Sequence, residues 1–190
     1  FAIMGSAFSR FLQNIDRPTV GLLNVGEEDQ KGFDYLRAAA ETLRRDDLPV
    51  NYVGFVEGSD FSSGTVDVIV TDGFTGNIAL KTAEGVAQLV RAFLRRAFAA
   101  NIFTKIAYLF ARPALARVRS MINPNAYNGA VFLGLNGISV KSHGGTNAFG
   151  YANAIGVAAD MVKNGYLPEV SQAIAKANLI LNEEKRDENG

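Results

Sequence analysis

Three short stretches combine residue types that do chemistry together rather than singly. The run VDVIVTDGFTGNIALKT, residues 66–82, passes from an apolar strand pattern through a glycine turn into a helical pattern. Such a junction gathers unpaired backbone amides and the positive end of a helix at one point, and an anion suits that point. Gly73 and Gly76 allow a ligand close to the backbone, Thr75 and Asn77 add side-chain donors, and Lys81 falls one helical turn past Asn77. Asp72 and Thr75 fit equally well as ordinary turn and cap residues. The Gly-Lys-Ser/Thr of a Walker loop is missing, so the pattern points to phosphate as a ligand class without naming a reaction.

The run VKSHGGTNAF, residues 140–149, repeats the strand, turn, helix layout. It predicts Lys141, Ser142 and His143 at the same carboxyl edge of the sheet as the first turn, where open α/β sheets bind ligands. A lone histidine is more often a structural hydrogen-bonding group than a catalyst. Here the neighbouring Lys, Ser and Gly-Gly favour function, although adjacent Ser and His in sequence are no sign of a nucleophilic dyad. The third stretch, NVGEEDQKG, places Asn24, Gly26, Glu27, Glu28 and Lys31 in a loop after the first strand. Its carboxylates suit a metal or a cationic neighbour, and equally the N-terminus of the next helix.

Short β-rich runs at 19–25, 50–56, 66–70 and 137–141 alternate with helical patterns at 2–12, 30–45, 76–99, 149–164 and 167–185. That alternation predicts an α/β fold with a doubly wound, mainly parallel sheet. Arg112-Pro113 is read as the break between two short helices, 102–110 and 115–122, forming a helical hairpin at about 98–123. Phe98, Ile102, Ile106, Leu109 and Phe110 make an apolar stripe there, suited to core or a dimer interface, with an acyl-chain groove or membrane surface as the sharper alternative.

The 190 residues carry 48% hydrophobic and 20% charged residues, an ordinary globular balance. With no cysteine and one histidine, disulfides, thiolate metal sites and a cysteine nucleophile are excluded. No apolar run reaches the ~18 residues of a spanning helix, and the first residues lack the features of a signal peptide. Because the chain opens on Phe1 inside a helical pattern, it reads as a fragment or a processed chain. Net charge is zero, yet no acid lies between Glu84 and Asp160. That interval holds Arg91, Arg95, Arg96, Lys105, Arg112, Arg117, Arg119 and Lys141. An acidic partner, whether protein, phosphate ligand or anionic lipid, fits this stretch, and so does a solvated helix face paired with acids elsewhere.

Taken in order and spacing, LLNVGEEDQKG, DVIVTDGFTGNIALKTAEG and LGLNGISVKSHGGTNAF followed by YANAI resemble the bacterial phosphate acyltransferases of phospholipid synthesis, the PlsX type. The likeness covers essentially the whole chain and departs near Asn147, where that family often carries an acid. It implies a Rossmann-like, isopropylmalate-dehydrogenase-like fold, of which residues 1–190 form the C-terminal part of a single α/β domain without its N-terminal half. It also implies transfer of a fatty acyl group from acyl carrier protein to inorganic phosphate, with no cofactor, metal or nucleic acid. On that footing phosphate is expected at Gly73, Thr75, Gly76, Asn77 and Lys81. Lys141 and His143 would stabilise charge or protonate the leaving group, and Asn24, Glu27 and Glu28 form a substrate loop. Arg91, Arg95 and Arg96 would dock the acidic carrier protein. The resemblance further implies a homodimer and a cytoplasmic enzyme, peripheral at the inner membrane face, that works with a membrane glycerol-phosphate acyltransferase. Phosphate acetyltransferases and isopropylmalate-type dehydrogenases look like relatives in fold, but a Mg²⁺-binding aspartate cluster is not evident. A non-catalytic module that binds carrier protein or membrane is the alternative from another class.

Overall fold

A computed structural model describes residues 1–121, 123 and 125–187. The chain divides into two compact units: residues 1–71, 130–141 and 155–190 in the first, and 72–129 and 142–154 in the second.

The first unit is built on a parallel sheet of three strands, β1 (Thr19–Leu23), β2 (Asn51–Val56) and β3 (Val68–Val70), in the order β2-β1-β3, with the one-turn helix α3 (Asp60–Ser63) between β2 and β3. Central β1 reads TVGLL because both its faces are covered, the usual state of a parallel strand. On one face Leu22 and Phe55 pack with Ala40, Leu36 and Leu43 of α2 (Asp34–Leu43). On the other, α1 (Ala2–Gln13) comes so close to β3 that a Cβ on Gly5 would sit 2.9 Å from Val68 Cγ1. The pairing of β1 with β2 slips by one residue at Val53, and Gly54 absorbs this bulge with φ 121°. Asp67 ties the start of β3 to β1: its Oδ2 accepts from the Thr19 amide and hydroxyl, each at 2.7 Å.

The expected α/β architecture is thus observed, with differences at three places. The helix expected over 30–45 starts only at Asp34, because Gly32 turns the chain at φ 84° and Arg37 Nη1 holds the carbonyls of Gly32 (2.9 Å) and Gln30 (3.2 Å). The segment 137–141 does not join the parallel sheet. Only Val140–Lys141 is strand, β5, and it pairs antiparallel with β4 (Ala130–Val131). Gly134, at φ 82°, lets the chain fold straight back, so the nearest partner wins over the distant sheet. In the same unit a second core joins Ala7 of α1 to Met161, Tyr166 and Val170, with the rings of Phe8 and Phe11 packed edgewise 5.9 and 5.7 Å from Tyr166.

The third difference lies in the second unit, where α4 runs Gly73–Ala99 and α5 runs Ile102–Met121 as one helix with Pro113 inside it. Proline removes its own N–H and crowds the carbonyl one turn back, and the alanine-rich flanks (Ala107, Ala111, Ala114, Ala116) propagate the helix past that local loss. The hairpin is therefore α4 against α5, turning at Ala100-Asn101, rather than two short helices either side of Pro113. Asn101 and Thr104 close the turn reciprocally: Thr104 N–H donates to Asn101 Oδ1 (3.0 Å) and Asn101 N–H to Thr104 Oγ1 (3.1 Å). Ile122, the expected end of the second short helix, and residues 188–190 of the polar tail lie outside the described residues.

Two further helices complete the chain, α6 (Ala148–Lys163) and α7 (Tyr166–Asp187). Among the described residues, no helix is long and apolar enough to cross a membrane.

Candidate functional site

The second unit opens where α4 begins. Gly73, Thr75, Gly76 and Asn77 are not a free turn but the first helical residues, and Asp72 is the N-cap. The Asp72 carboxylate accepts from the Thr75 amide at 2.8 Å, and hydrogen bonding by the Thr75 side chain and then its amide holds this carboxyl below its usual range. The protein's own anion thus takes one of the amides expected for phosphate. A Cβ on Gly73 would meet open space. Lys81 lies on the same helix and pairs with Glu84 at 2.9 Å. The Lys81 hydrogen bond and charge lower the Glu84 carboxyl, with a smaller electrostatic contribution from His143. His143 therefore lies within electrostatic range of Glu84, inside the same unit.

His143 is exposed, and its turn is built by asparagines that the sequence pattern did not single out. Asn128, 7% exposed, accepts from the His143 amide at 2.9 Å through Oδ1. Its Nδ2 donates to Ser142 Oγ and to the Gly150 carbonyl, each at 2.8 Å. Asn125 Oδ1 accepts from Thr146 Oγ1 at 2.8 Å, and Asn153 Nδ2 donates to the Asn125 carbonyl at 2.8 Å. Ser142 is thereby held by a structural partner. Asn147 caps α6, its Oδ1 accepting from the Gly150 amide at 3.0 Å. An acid would cap there as well. The only advance sign of the network is the Asn-rich segment NPNAYNG, which reads simply as loop.

Lys141 is exposed at the end of β5 in the first unit, two residues before His143. Asn24, Glu27 and Glu28 also belong to the first unit, after β1. Asn24 is buried, its Nδ2 donating to the Lys31 carbonyl at 3.0 Å. A Cβ at Gly32 would lie 2.0 Å from Asn24 Oδ1, so only glycine fits beside it. Glu28 pairs with Lys31 at 2.7 Å, which lowers the Glu28 carboxyl and raises the Lys31 ammonium. Asp29 pairs with Arg44. Glu27 lines a cavity of about 340 Å³ with Asp29, Arg44 and Tyr52. Glu28 and Asp29 thus meet cations of their own unit, and among the described residues no group of three acids or histidines is arranged to hold a metal.

None of the described residues of α4 or α5 is buried. Between the two helices runs a groove of about 480 Å³, lined by the apolar Leu94, Phe98, Tyr108 and Leu115 together with Arg91, Arg95 and Lys105. Arg96, exposed on α4, is not among its lining residues. Phe103 and Phe110 are about four-fifths exposed on the same hairpin.

A family model described as "Fatty acid synthesis protein" matches residues 1–168. The chain belongs to the fatty acid synthesis protein family. Relatives of the chain include one from Paramagnetospirillum magneticum, 57% identical over 166 residues (87% of this chain, 47% of the relative). Another from Rhodospirillum rubrum is 51% identical over 180 residues, covering 95% of this chain and 52% of the relative. A third, from Agrobacterium fabrum, is 53% identical over 171 residues, covering 90% and 48%. All three relatives are named phosphate acyltransferase. The chain spans about half the length of the curated relatives it matches.

Proposed function

We propose that this chain carries part of the active site of an enzyme that transfers a fatty acyl group from acyl carrier protein to inorganic phosphate, releasing acyl phosphate and the free carrier thiol. The structural observation that supports the reading is that Lys81, on α4, and His143 belong to one unit, both near enough to Glu84 to act on its carboxyl. Its support outside the structure is the name that relatives sharing about half of these residues bear.

Phosphate is already anionic at neutral pH and needs no nucleophilic side chain. The site has to offset its charge, aim one oxygen at the thioester carbonyl and stabilise the oxyanion that develops. The α4 start, through Gly73, Thr75, Gly76 and Asn77, and the Lys81 ammonium hold the phosphate in this scheme. Lys141 and His143 act on the developing charge or on the leaving sulfur, and Asn24, Glu27 and Glu28 border the substrate.

Acyl carrier proteins are acidic, and the α4–α5 groove joins cations to apolar side chains as an acyl-bearing acidic partner requires. Arg91 and Arg95 meet the carrier at that groove, with Arg96 adding to the field. The exposed aromatic residues of the hairpin serve a second copy in a homodimer or a peripheral contact at the inner membrane face. There a membrane glycerol-phosphate acyltransferase would consume the product.

The test is to incubate the protein with palmitoyl acyl carrier protein and phosphate and to trap acyl phosphate with hydroxylamine. Hydroxamate formation that depends on phosphate is the expected result. Loss of the thioester at the same rate without phosphate would overturn the transferase reading, and salt-sensitive carrier binding without turnover would favour a binding module.

A further inference from the structure

The histidine turn limits what its imidazole can do. Gly145 N–H donates to His143 Nδ1 at 3.1 Å, and Thr146 N–H donates to the His143 carbonyl at 3.1 Å, closing the turn beneath the ring. A ring nitrogen that accepts a hydrogen bond from an amide carries no proton, so the neutral imidazole carries its proton on Nε2. The backbone of the same residue is held from elsewhere. Asn128 spends its acceptor on the His143 amide (2.9 Å) and its amide donors on Ser142 Oγ and the Gly150 carbonyl (both 2.8 Å). One buried side chain therefore fixes both ends of the segment that carries the ring.

We propose that Asn128 is a positioning residue which, together with the Gly145 amide, locks His143 as the Nε2–H tautomer, making the ring a hydrogen-bond donor to the reacting carbonyl oxygen rather than an acid or a base. A neutral ring of this tautomer has no second proton to give, because losing the one on Nε2 would leave an imidazolate. Nor can it take a proton at Nε2, while taking one at Nδ1 would break the Gly145 bond. The proposal rests on the acyl-transfer reading for the identity of the reacting group, and it removes one ambiguity from that reading. As the phosphate oxygen bonds to the acyl carbon and the carbon–sulfur bond breaks, the proton lost by the attacking hydrogen phosphate ends on the departing sulfur. His143 keeps its own proton throughout.

The chain has a single histidine, so one ring spin system reports the lock without assignment. Protein labelled with ¹⁵N-histidine is examined by long-range ¹H–¹⁵N correlation well above the ordinary histidine pKa. The expected spectrum shows an unmixed tautomer, Nδ1 unprotonated and Nε2 protonated, and Asn128→Ala moves both nitrogens towards the averaged values of free histidine. A wild-type ring that is averaged, or protonated at Nδ1, overturns the proposal whether or not the protein makes acyl phosphate. Should Asn128→Ala fail to fold, Asn128→Ser takes its place, and the wild-type spectrum decides the tautomer alone.

The kinetic arm separates the roles. Asn128→Ala is expected to lower kcat by about 100-fold while the phosphate KM changes less than about threefold. His143→Gln, which keeps an N–H donor, is expected to retain at least about tenfold more activity than His143→Ala. Equal loss in these two variants would show that the ring works by proton transfer and would overturn the donor role. If no variant and no wild-type protein forms acyl phosphate, the acyl-transfer reading fails while the tautomer stands or falls on the spectrum.

Discussion

Gly150 is the position where one added methyl group bears most directly on the histidine turn. It lies in the first turn of α6, and a Cβ built there would sit 2.1 Å from Thr146 Oγ1, 2.8 Å from Asn125 Oδ1 and 3.0 Å from Asn125 Cβ. Ordinary carbon contacts need about 3.5–4.0 Å, so Gly150→Ala must push Thr146 away by more than ~1 Å or shift the helix start. Overpacking of this kind costs about 1–3 kcal/mol. Separating Thr146 from Asn125, now bonded at 2.8 Å, adds about 0.5–1.5 kcal/mol. Alanine's better helix propensity returns roughly 1 kcal/mol. The balance is a net loss of about 0.5–3.5 kcal/mol, measured by urea denaturation followed by circular dichroism. The functional effect is expected to be larger. Thr146 N–H closes on the His143 carbonyl and Asn128 holds the Gly150 carbonyl, so the displacement reaches the imidazole. Misplacing a reacting group by ~1 Å is worth about 100-fold in rate. The double variant Gly150→Ala with Thr146→Ala removes the closest atom and is expected to be more stable than the sum of the single changes by about 1 kcal/mol. A Gly150→Ala protein with unchanged midpoint and full turnover, or strict additivity in the double variant, would refute the steric reasoning.

Pro113→Ala restores an N–H inside α5 and relieves the ring, so stability is expected to rise by up to about 3 kcal/mol. Unchanged amide exchange along α5 would show that the proline is already accommodated by packing. Asp67 is held below its ordinary value of 3.8 by the Thr19 hydroxyl and amide. A depressed carboxyl contributes stability above its unfolded pKa and loses it as pH falls through the folded one. The stability difference between wild type and Asp67→Asn is therefore expected to be constant near neutrality and to shrink below about pH 4. A difference that persists at pH 2 would remove Asp67 from the account. Arg91→Glu with Arg95→Glu is expected to raise the KM for acyl carrier protein by about tenfold and to flatten its salt dependence, leaving the phosphate KM within about twofold. An equal rise in both constants would mean that these arginines serve the fold rather than the carrier.

Where local patterning governs, the residue order was enough. The runs at β1 and β2, the amphipathic α1, and α6 and α7 all lie within a few residues of their expected positions, because strand and helix periodicity and their glycine and proline boundaries are local properties. The same holds for the strand-to-helix junction at Asp72, whose cap is a bond between residues three apart. Propensity failed at Pro113, where a helix with strong formers on both sides ran through a residue that breaks weaker ones. It failed again at 137–141, where a glycine turn offered β5 a partner closer than the parallel sheet. The carboxylates after β1 stood as possible ligands until folding paired Glu28 with Lys31 and Asp29 with Arg44. The opening chemistry changed most. Gly73 to Asn77 are helix rather than loop, and His143 owes its setting to Asn128 and Asn125, 15 and 21 residues from the atoms they hold at His143 and Thr146. Asparagine in a linear sequence signals only a turn. Its amide becomes informative when the fold delivers a specific donor and acceptor to it, and that pairing is a property of tertiary contact, invisible to any local period.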